Sequence, residues 1–493
     1  MASLEEMRAE RLKKLALLKT AGMDAYPASI SRDMSIADAI AQFDTLVDTD
    51  KQISLAGRVM SIRGQGAILF ANLFDGTGTF QLFLKKDGMP EDIFALFVNT
   101  VDMGDFISAT GTFITSKTGE KTLLVSGWSM ASKSLLPLPE KWAGLSDEDE
   151  RLRKRYLDAI GNPELFARFH SRANIIKYIR AFFDAKGFME IETPILQNQA
   201  GGAMAKTFNT HHNDYDMDMV LRIAMELEHK MMMVAGYNRI YEIGKNFRNE
   251  GSDPTHIQEF TMMEWYAAYE TLETNIKWTE ELLKGLAKDV IGKMSFMIAG
   301  EDGEKVEVNF DGVWPRVRFG DLLKENANLD MQSASVDDIK ESAKKWGMDA
   351  KEIATTGRAN LLDFIYKKSS RNKIVQPTFV MDYPGELKPL AQQNSDGTAC
   401  VAQLIICGAE ITNQYAELVN PIVERELFES QAKAKADGDA EAMGMDERFL
   451  TAMEHGMPPM TGFGLGIDRL VALLTEQDNL REVIFFPIMR PKQ

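Results

Sequence analysis

The residues most able to do chemistry fall in four short segments. DMVLRIAME (218–226), YEIGKNFRNE (241–250), EFTMMEWY (259–266) and AEITNQYAEL (409–418) are rich in arginine, glutamate and aromatic residues. Side chains in a strand alternate between two faces. Read as strands, the segments put Arg222, Ala224 and Glu226 together, then Arg248 with Glu250. They likewise put Phe260, Met262, Glu264 and Tyr266 on one face, and Ile411, Asn413, Tyr415 and Glu417 on another. An antiparallel sheet with one solvated face would alternate in the same way. A solvated face, however, is ordinarily furnished with lysine, serine and threonine, which these rows almost lack. Arginine beside several carboxylates and aromatic rings suits a ligand that carries both negative and positive groups.

Further on, TGFGLGIDRLVALL places Gly462, Gly464 and Gly466 ahead of Asp468, Arg469 and an apolar helix. Glycines before a helix start let a phosphate approach backbone N–H groups and the helix dipole. The six-residue dinucleotide fingerprint is not matched, so the glycines alone assign nothing.

Several function classes are excluded by composition. The only cysteines are Cys400 and Cys407, and the six histidines form no HExxH pair, which argues against a disulfide scaffold or a zinc enzyme. No run of eighteen apolar residues and no signal-type start is present, so a cytoplasmic location without membrane attachment is expected. The net charge of −17 makes sequence-blind DNA binding a poor fit. That charge is unevenly spread: residues 1–139 hold 14 basic and 16 acidic side chains, so this part can still meet RNA phosphates locally.

The elements that must position these residues follow from periodicity. EEMRAERLKKLALLKTAG is an amphipathic helix stopped by Gly22, read as solvated in preference to an RNA-contacting arm. Short β-rich runs from Ile53 to about Ser134 suit a five-stranded antiparallel barrel. LLPLPEKW is a proline-stiffened linker, and SDEDERLRKRYLD is a helix capped by Ser146, with a break at Gly161-Asn162-Pro163. A long amphipathic helix ending at Gly187 then opens a large mixed region. The polar helical stretch from about 320 to 368 reads as an insertion. The fold class is α+β. Expected domains are a helical segment over 1–52, the barrel over 53–138, a linker over 139–162 and the large domain over 163–493.

The ordered motifs carry a resemblance. GFMEIETPIL with Pro194, then FRNE with its HxxxF and TMMEWY, then GLGIDRL are similar to motifs 1, 2 and 3 of the class II aminoacyl-tRNA synthetases. The barrel resembles the anticodon-binding OB-fold of the subgroup that charges lysine, aspartate and asparagine. RKRYLD, GGAMAKTF, LRIAMEL and FFPIMRP resemble the bacterial lysyl-tRNA synthetase family. The resemblance implies an antiparallel catalytic sheet flanked by helices and a two-step ligation. Lysine and ATP would give lysyl-adenylate and pyrophosphate, and the lysyl group would then pass to the 3′ end of tRNA-Lys. It further implies ATP as co-substrate, Mg2+ as cofactor, and a homodimer built by motif 1.

Residue roles follow by the same resemblance. Arg248 would grip the α-phosphate, Glu250 the adenine amino group, and Phe260 would stack on the base, with His256 and Arg469 at the outer phosphates. Glu226, Glu264 and a carbonyl near Gly202 would hold the α-amino group of lysine. Glu417 and Tyr266 would hold its ε-end, Tyr415 the stem and Asn413 the carboxylate. Glu410 would be the metal ligand, although strict alternation sets it opposite Asn413, so a twist or bulge is required. Phe70 and Gln81 would contact the central anticodon base.

The sequence departs from the pattern at five places. Gln403 stands where a second metal-binding glutamate is common, Ile257-Gln258 replaces Asn-Pro, Met225 replaces proline, and Gly127 replaces an acid. Two rival readings are an aspartate or asparagine ligase, which would need a cation in the pocket, and a silent RNA-binding paralogue. The latter has no need for Arg248, Glu250 and Arg469 together.

Overall fold

The computed structural model describes residues 3–492 apart from 48, 140–144, 146, 204, 301–302 and 437–444. The chain forms two compact units, Met1–Asp147 and Glu148–Gln493. The cap expected at Ser146 lies outside the described residues. The segment read as a linker over 139–162 is helical at Glu148–Arg153 and Arg155–Gly161, and these helices belong to the second unit. Acidic residues at its start and arginines at its end match the helix dipole there.

Five strands close a barrel in the first unit: β1 (Ile53–Gln65), β2 (Ile68–Phe74), β3 (Thr79–Lys85), β4 (Phe106–Thr115) and β5 (Lys121–Ser132), in the order β1-β2-β3-β5-β4. Alternation sends Leu69, Ala71, Leu73, Phe80, Leu82 and Leu84 into the core and leaves Phe70, Gln81 and Phe83 half-buried outside. Helix α1 (Leu4–Thr20) opens on a capping box made by Ser3 and Glu6. It is not merely solvated, because Leu18 is fully buried in the barrel core and the buried Arg11 donates to Ser134 and to the carbonyls of Met103 and Leu136. A second helix, α2 (Glu91–Thr100), bridges β3 and β4 and buries Phe94 and Phe97. Sequence reading passed over it, since it lies among β-rich runs.

Helix α3 (Pro163–Ala185) opens the large region of the second unit, with Asn162 capping Leu165 and Pro163 in the first turn. Among the described residues eight strands form the main sheet. They are β6 (Met189–Glu190), β7 (Arg239–Phe247), β8 (Glu259–Ala268), β9 (Arg316–Arg318), β10 (Thr378–Met381), β11 (Val401–Ile406), β12 (Ala409–Ala416) and β13 (Met460–Gly466). Their order is β9-β10-β11-β12-β13-β8-β7-β6, antiparallel throughout except for the parallel edge pairs β9/β10 and β6/β7.

One face of this sheet is a packed core. Tyr241, Met263, Trp265, Phe463 and Leu465 meet Ile175, Ile179 and Phe183 of α3. The helices Phe319–Ala327, Val336–Lys345, Ala350–Thr355 and Arg358–Ser369 bury Leu323, Ile339, Leu362 and Ile365 in a second cluster together with Val380 of β10 and Val401 and Ile405 of β11. That cluster covers one end of the opposite face, and Ile240, Tyr266 and Ala268 pack with Leu227, Met233 and Phe449 at the other, so the polar rows lie between them.

Candidate active site

On that second face lies a cleft of about 640 Å³. Its floor is β13. Gly462, Gly464 and Gly466 alternate with the buried Phe463 and Leu465, so from Gly462 onward one side of the strand carries no side chains. These glycines lie within the strand, and Gly466 caps the helix that follows, so they do precede a helix start as the sequence suggests. Period-two spacing was the signal for the strand. A Cβ at Gly462 would fall 1.8 Å from Glu417 Oε1 and 2.7 Å from the Tyr266 ring, so only glycine leaves room for both.

The neighbouring strands rise as walls. One rung runs Gln403, Asn413, Gly464, Glu264, Glu242 across five strands, and the next runs Val401, Tyr415, Gly462, Tyr266, Ile240. Strands distant in sequence are thereby brought to one surface. Gly202, Glu226, Arg248, Glu250, His256, Phe260, Glu264, Tyr266, Glu410, Asn413, Tyr415 and Arg469 all line the cleft. Glu417 sits behind the wall, 4% exposed. Phe70 and Gln81 belong to the barrel of the first unit.

Glu410 shares the face of Asn413 through a bulge. Leu404 pairs with Thr412 while Ile405 pairs with Glu410, which leaves Ile411 as the extra residue. The Asn413 amide donates to Glu410, and Gln403 Nε2 donates to Glu410 Oε2 at 2.8 Å and to Asn413 Oδ1 at 2.5 Å. No group of three or more His, Cys, Asp or Glu side chains able to hold a metal is present among the described residues. A single carboxylate braced by two amides fits a hard dication that arrives largely coordinated by phosphate oxygens and water.

At the cationic end, Arg248 follows β7 and lies over the Phe260 ring, its guanidinium carbon 5.2 Å from the centroid. Both Nε and Nη2 lie 3.4 Å from the Ile223 carbonyl, and burial draws its pKa down. Arg469, on α4 (Ile467–Leu474), donates to the Glu410 carbonyl at 3.3 Å, with Nη2 3.1 Å from His256 Nε2. The adjacent Asp468 anchors that helix start, accepting from Thr261 N–H at 2.7 Å and pairing with Arg172 at 2.6 Å. Gln258 closes the intervening loop: its carbonyl accepts from Arg248 N–H at 2.9 Å, and its amide donates to the Glu250 carbonyl at 3.1 Å. The side chain that replaces a proline here is therefore a clasp.

At the acidic end the strand reading of 222–226 fails. The strand there stops at Leu221, and Glu226 opens a helix, Glu226–Val234. Helical spacing brings in Lys230, one turn on, which the strand reading hid. Its Nζ lies 2.6 Å from Glu226 Oε1 and 2.7 Å from Glu417 Oε2, with the side chain 1% exposed. Burial alone would discharge this lysine, but Glu226, Glu417 and Glu424 more than reverse that and keep it charged. Burial, reinforced by Glu226, pushes Glu417 and Glu424 up to about 7, against the pull of Lys230. Glu264 is pushed up to about 8, first by burial and then by Glu226. It accepts from Tyr266 OH at 3.2 Å and faces the Met225 N–H at 3.5 Å, a donor that a proline at 225 would lack.

Behind this wall, Arg222 pairs with Glu242 at 2.7 Å, and Thr193 and His229 bond the same carboxylate at 2.7 and 3.0 Å. Arg222 is thus a buried support and not part of the cleft. Sequence reading also missed Asn360 and the segment 386–390, whose Lys388 Nζ lies 5.9 Å from the centre of the Tyr415 ring. Neither carries a periodic signal.

Comparison with known proteins agrees with this geometry. Residues 147–490 match the family model of tRNA synthetases class II (D, K and N), and residues 53–131 match that of the OB-fold nucleic acid binding domain. Similar relatives include a lysine–tRNA ligase of Clostridium perfringens, 40% identical over 99% of this chain and 97% of the relative. Those of a Nostoc species and of Roseiflexus castenholzii are each 39% identical over 99% of this chain, covering 89% and 100% of the relatives. The chain belongs to the class II tRNA synthetases of the aspartate, lysine and asparagine group, with an OB-fold domain ahead of the catalytic sheet.

Proposed function

We propose that this enzyme is a lysine–tRNA ligase. The observation that carries the reading is the acidity of the pocket's inner wall, where Glu226, Glu417 and Glu424 surround one ammonium, Lys230, and Glu264 stands beside Glu226. An aspartate substrate would need an uncommitted cation there, and Lys230 is committed to two carboxylates. A substrate with two ammonium groups meets the remaining acidity. Glu264 and Glu226 face its α-amino group with the Gly202 carbonyl, Glu417 and Tyr266 lie towards its ε-end, Tyr415 flanks its stem, and Asn413 meets its carboxylate.

The lysine carboxylate oxygen attacks the α-phosphorus of ATP in line, forming the mixed anhydride as pyrophosphate leaves. A hydroxyl of the 3′-terminal adenosine of the tRNA then attacks the anhydride carbonyl and AMP departs. Neither step requires a protein nucleophile, so positioning and charge neutralisation are the enzyme's contribution. Arg248 supplies a planar fork for the α-phosphate. Arg469 and His256 meet the outer phosphates, Phe260 stacks on the adenine and Glu250 accepts from its amino group. Mg2+, held by Glu410 with phosphate oxygens, would neutralise phosphate charge. Phe70 and Gln81 bind the anticodon.

No helix among the described residues is long and apolar enough to cross a membrane, and we place the enzyme in the cytoplasm. We also infer a homodimer from the family resemblance; Met189, Ile195 and Leu196, on the motif 1 segment, are exposed. ATP–pyrophosphate exchange with lysine, aspartate and asparagine in turn tests the main reading. Lysine alone should support it, and turnover with aspartate or asparagine in its place would refute the charge argument.

A further inference from the structure

Gln81 stands on β3 directly across from Asn72 of β2. Phe70 and Phe83 pair one rung along the same outer face, with rings stacked at 4.7 Å. A glutamine amide is nearly symmetrical in shape but opposite in chemistry at its two ends, so a half-turn about its last bond exchanges donor and acceptor. Here both ends are engaged. Nε2 donates to the Glu120 carboxylate, and the Thr122 hydroxyl lies 2.9 Å from Oε1.

These partners differ in what they dictate. The Thr122 hydroxyl can donate or accept, and it has a second acceptor in the Glu120 carbonyl at 2.9 Å, so it would follow either amide orientation. A carboxylate only accepts. Glu120 therefore decides which end of Gln81 faces it. Its own backbone is pinned: Glu120 N–H donates to Ser116 Oγ at 2.9 Å, and its carbonyl accepts from Ser116 N–H at 2.9 Å. Gly119, at φ 86°, makes the turn that closes this loop.

We propose that Glu120 is a specificity-determining positioning residue: it locks the Gln81 amide in one orientation, so that the barrel accepts uracil and rejects cytosine at the base Gln81 reads. The inference rests on Gln81 being an anticodon contact. Uracil offers an acceptor, O4, beside a donor, N3–H. Cytosine offers a donor, the N4 amino group, beside an acceptor, N3. The free N–H and lone pair of a locked amide complement one of these edges and meet the other donor to donor and acceptor to acceptor. An amide free to turn would serve both. The lysine codons AAA and AAG pair with a middle uracil, whereas AGA and AGG, which encode arginine, pair with a middle cytosine. The lock thus acts at the position that separates these two sets.

The test is Glu120→Gln, which keeps size and shape but can present either oxygen or nitrogen to Gln81. Aminoacylation kcat/KM is measured for lysine tRNA transcripts bearing uracil or cytosine at the middle anticodon position. The substitution should lower the uracil-over-cytosine ratio by about tenfold, mainly through faster charging of the cytosine transcript. Loss of a negative charge near the RNA would favour both transcripts alike and cancel in the ratio. Gln81→Ala, assayed in parallel, should impair charging of the uracil transcript. If it does and Glu120→Gln leaves the ratio unchanged, the lock is wrong. If Gln81→Ala changes neither transcript, the anticodon assignment falls and takes the lock with it.

Discussion

Glu264 in the cleft is 5% exposed, and Glu417 and Lys230 behind its wall are 4% and 1% exposed. On the barrel Phe70 and Gln81, the groups we propose meet the anticodon, are half-buried, and Glu120 is exposed. The cleft can afford charge as its language because burial strips water from the carboxylates and makes an unmet charge costly. The outer barrel face cannot. Water and salt screen an exposed charge, so in our reading discrimination there falls to ring stacking and to the direction of hydrogen bonds. The two regions meet different parts of one reaction and differ in physics accordingly.

The contrast can be broken most forcefully at Arg248. Replacing it by lysine keeps the charge and removes the fork, so adenylate formation measured by pyrophosphate exchange should fall about 10²–10³-fold. The thermal transition should move little, as the Arg248 guanidinium makes two long contacts to one carbonyl and packs over the Phe260 ring. Exchange near the parental rate would mean that charge alone suffices in the cleft.

On the barrel, Phe70→Ala should weaken charging of tRNA by roughly 1–3 kcal/mol while leaving pyrophosphate exchange intact, since one stacking surface is lost. Equal loss in both assays would make Phe70 a structural support.

The smallest expected effect sharpens the contrast through pH. Glu264 holds its proton up to about 8, against an ordinary value of 4.5. An ammonium ligand needs the ionised form, so KM for lysine should fall as pH rises from about 6.5 to about 8.5, by up to roughly tenfold. KM for ATP should not follow. The sign for stability is the reverse. A raised carboxyl favours the folded state below about 4.5, and that advantage is lost as pH climbs towards 8. The rise in melting temperature produced by lysine should accordingly be larger at pH 8 than at pH 6. Glu264→Gln should flatten both trends, and a KM profile that keeps its slope in that variant would put the titrating group elsewhere.

Much of this was legible in one dimension. Period-two spacing placed Phe260, Met262, Glu264 and Tyr266 on one face, and Asn413 with Tyr415 on another, because a strand's side chains alternate whatever surrounds it. The β-rich runs announced the barrel for the same reason. The requirement for a bulge at Glu410 could be stated in advance, but which residue is extra depends on pairing with β11. Spacing misled where two periods compete. LRIAMELEHK alternates as well as it spirals, and the packing of Leu227 and Met233 against Tyr266 and Ile240 decided for a helix. That choice put Lys230 beside Glu226, and only the fold brought Glu417 to its other side.

By itself, then, the sequence determined which residues could share a face, the order of the motifs and the acidity available to a dication. These are local or additive properties of the chain. The tertiary structure alone decided that glycines 464 and 466 form a bare floor between two walls, with Gly462 against Glu417 and Tyr266. It alone committed Lys230 to Glu226 and Glu417, and turned the Gln81 amide towards Glu120. Each of those depends on residues far apart in the chain or on packing between elements, and no spacing rule encodes which distant strand becomes a neighbour.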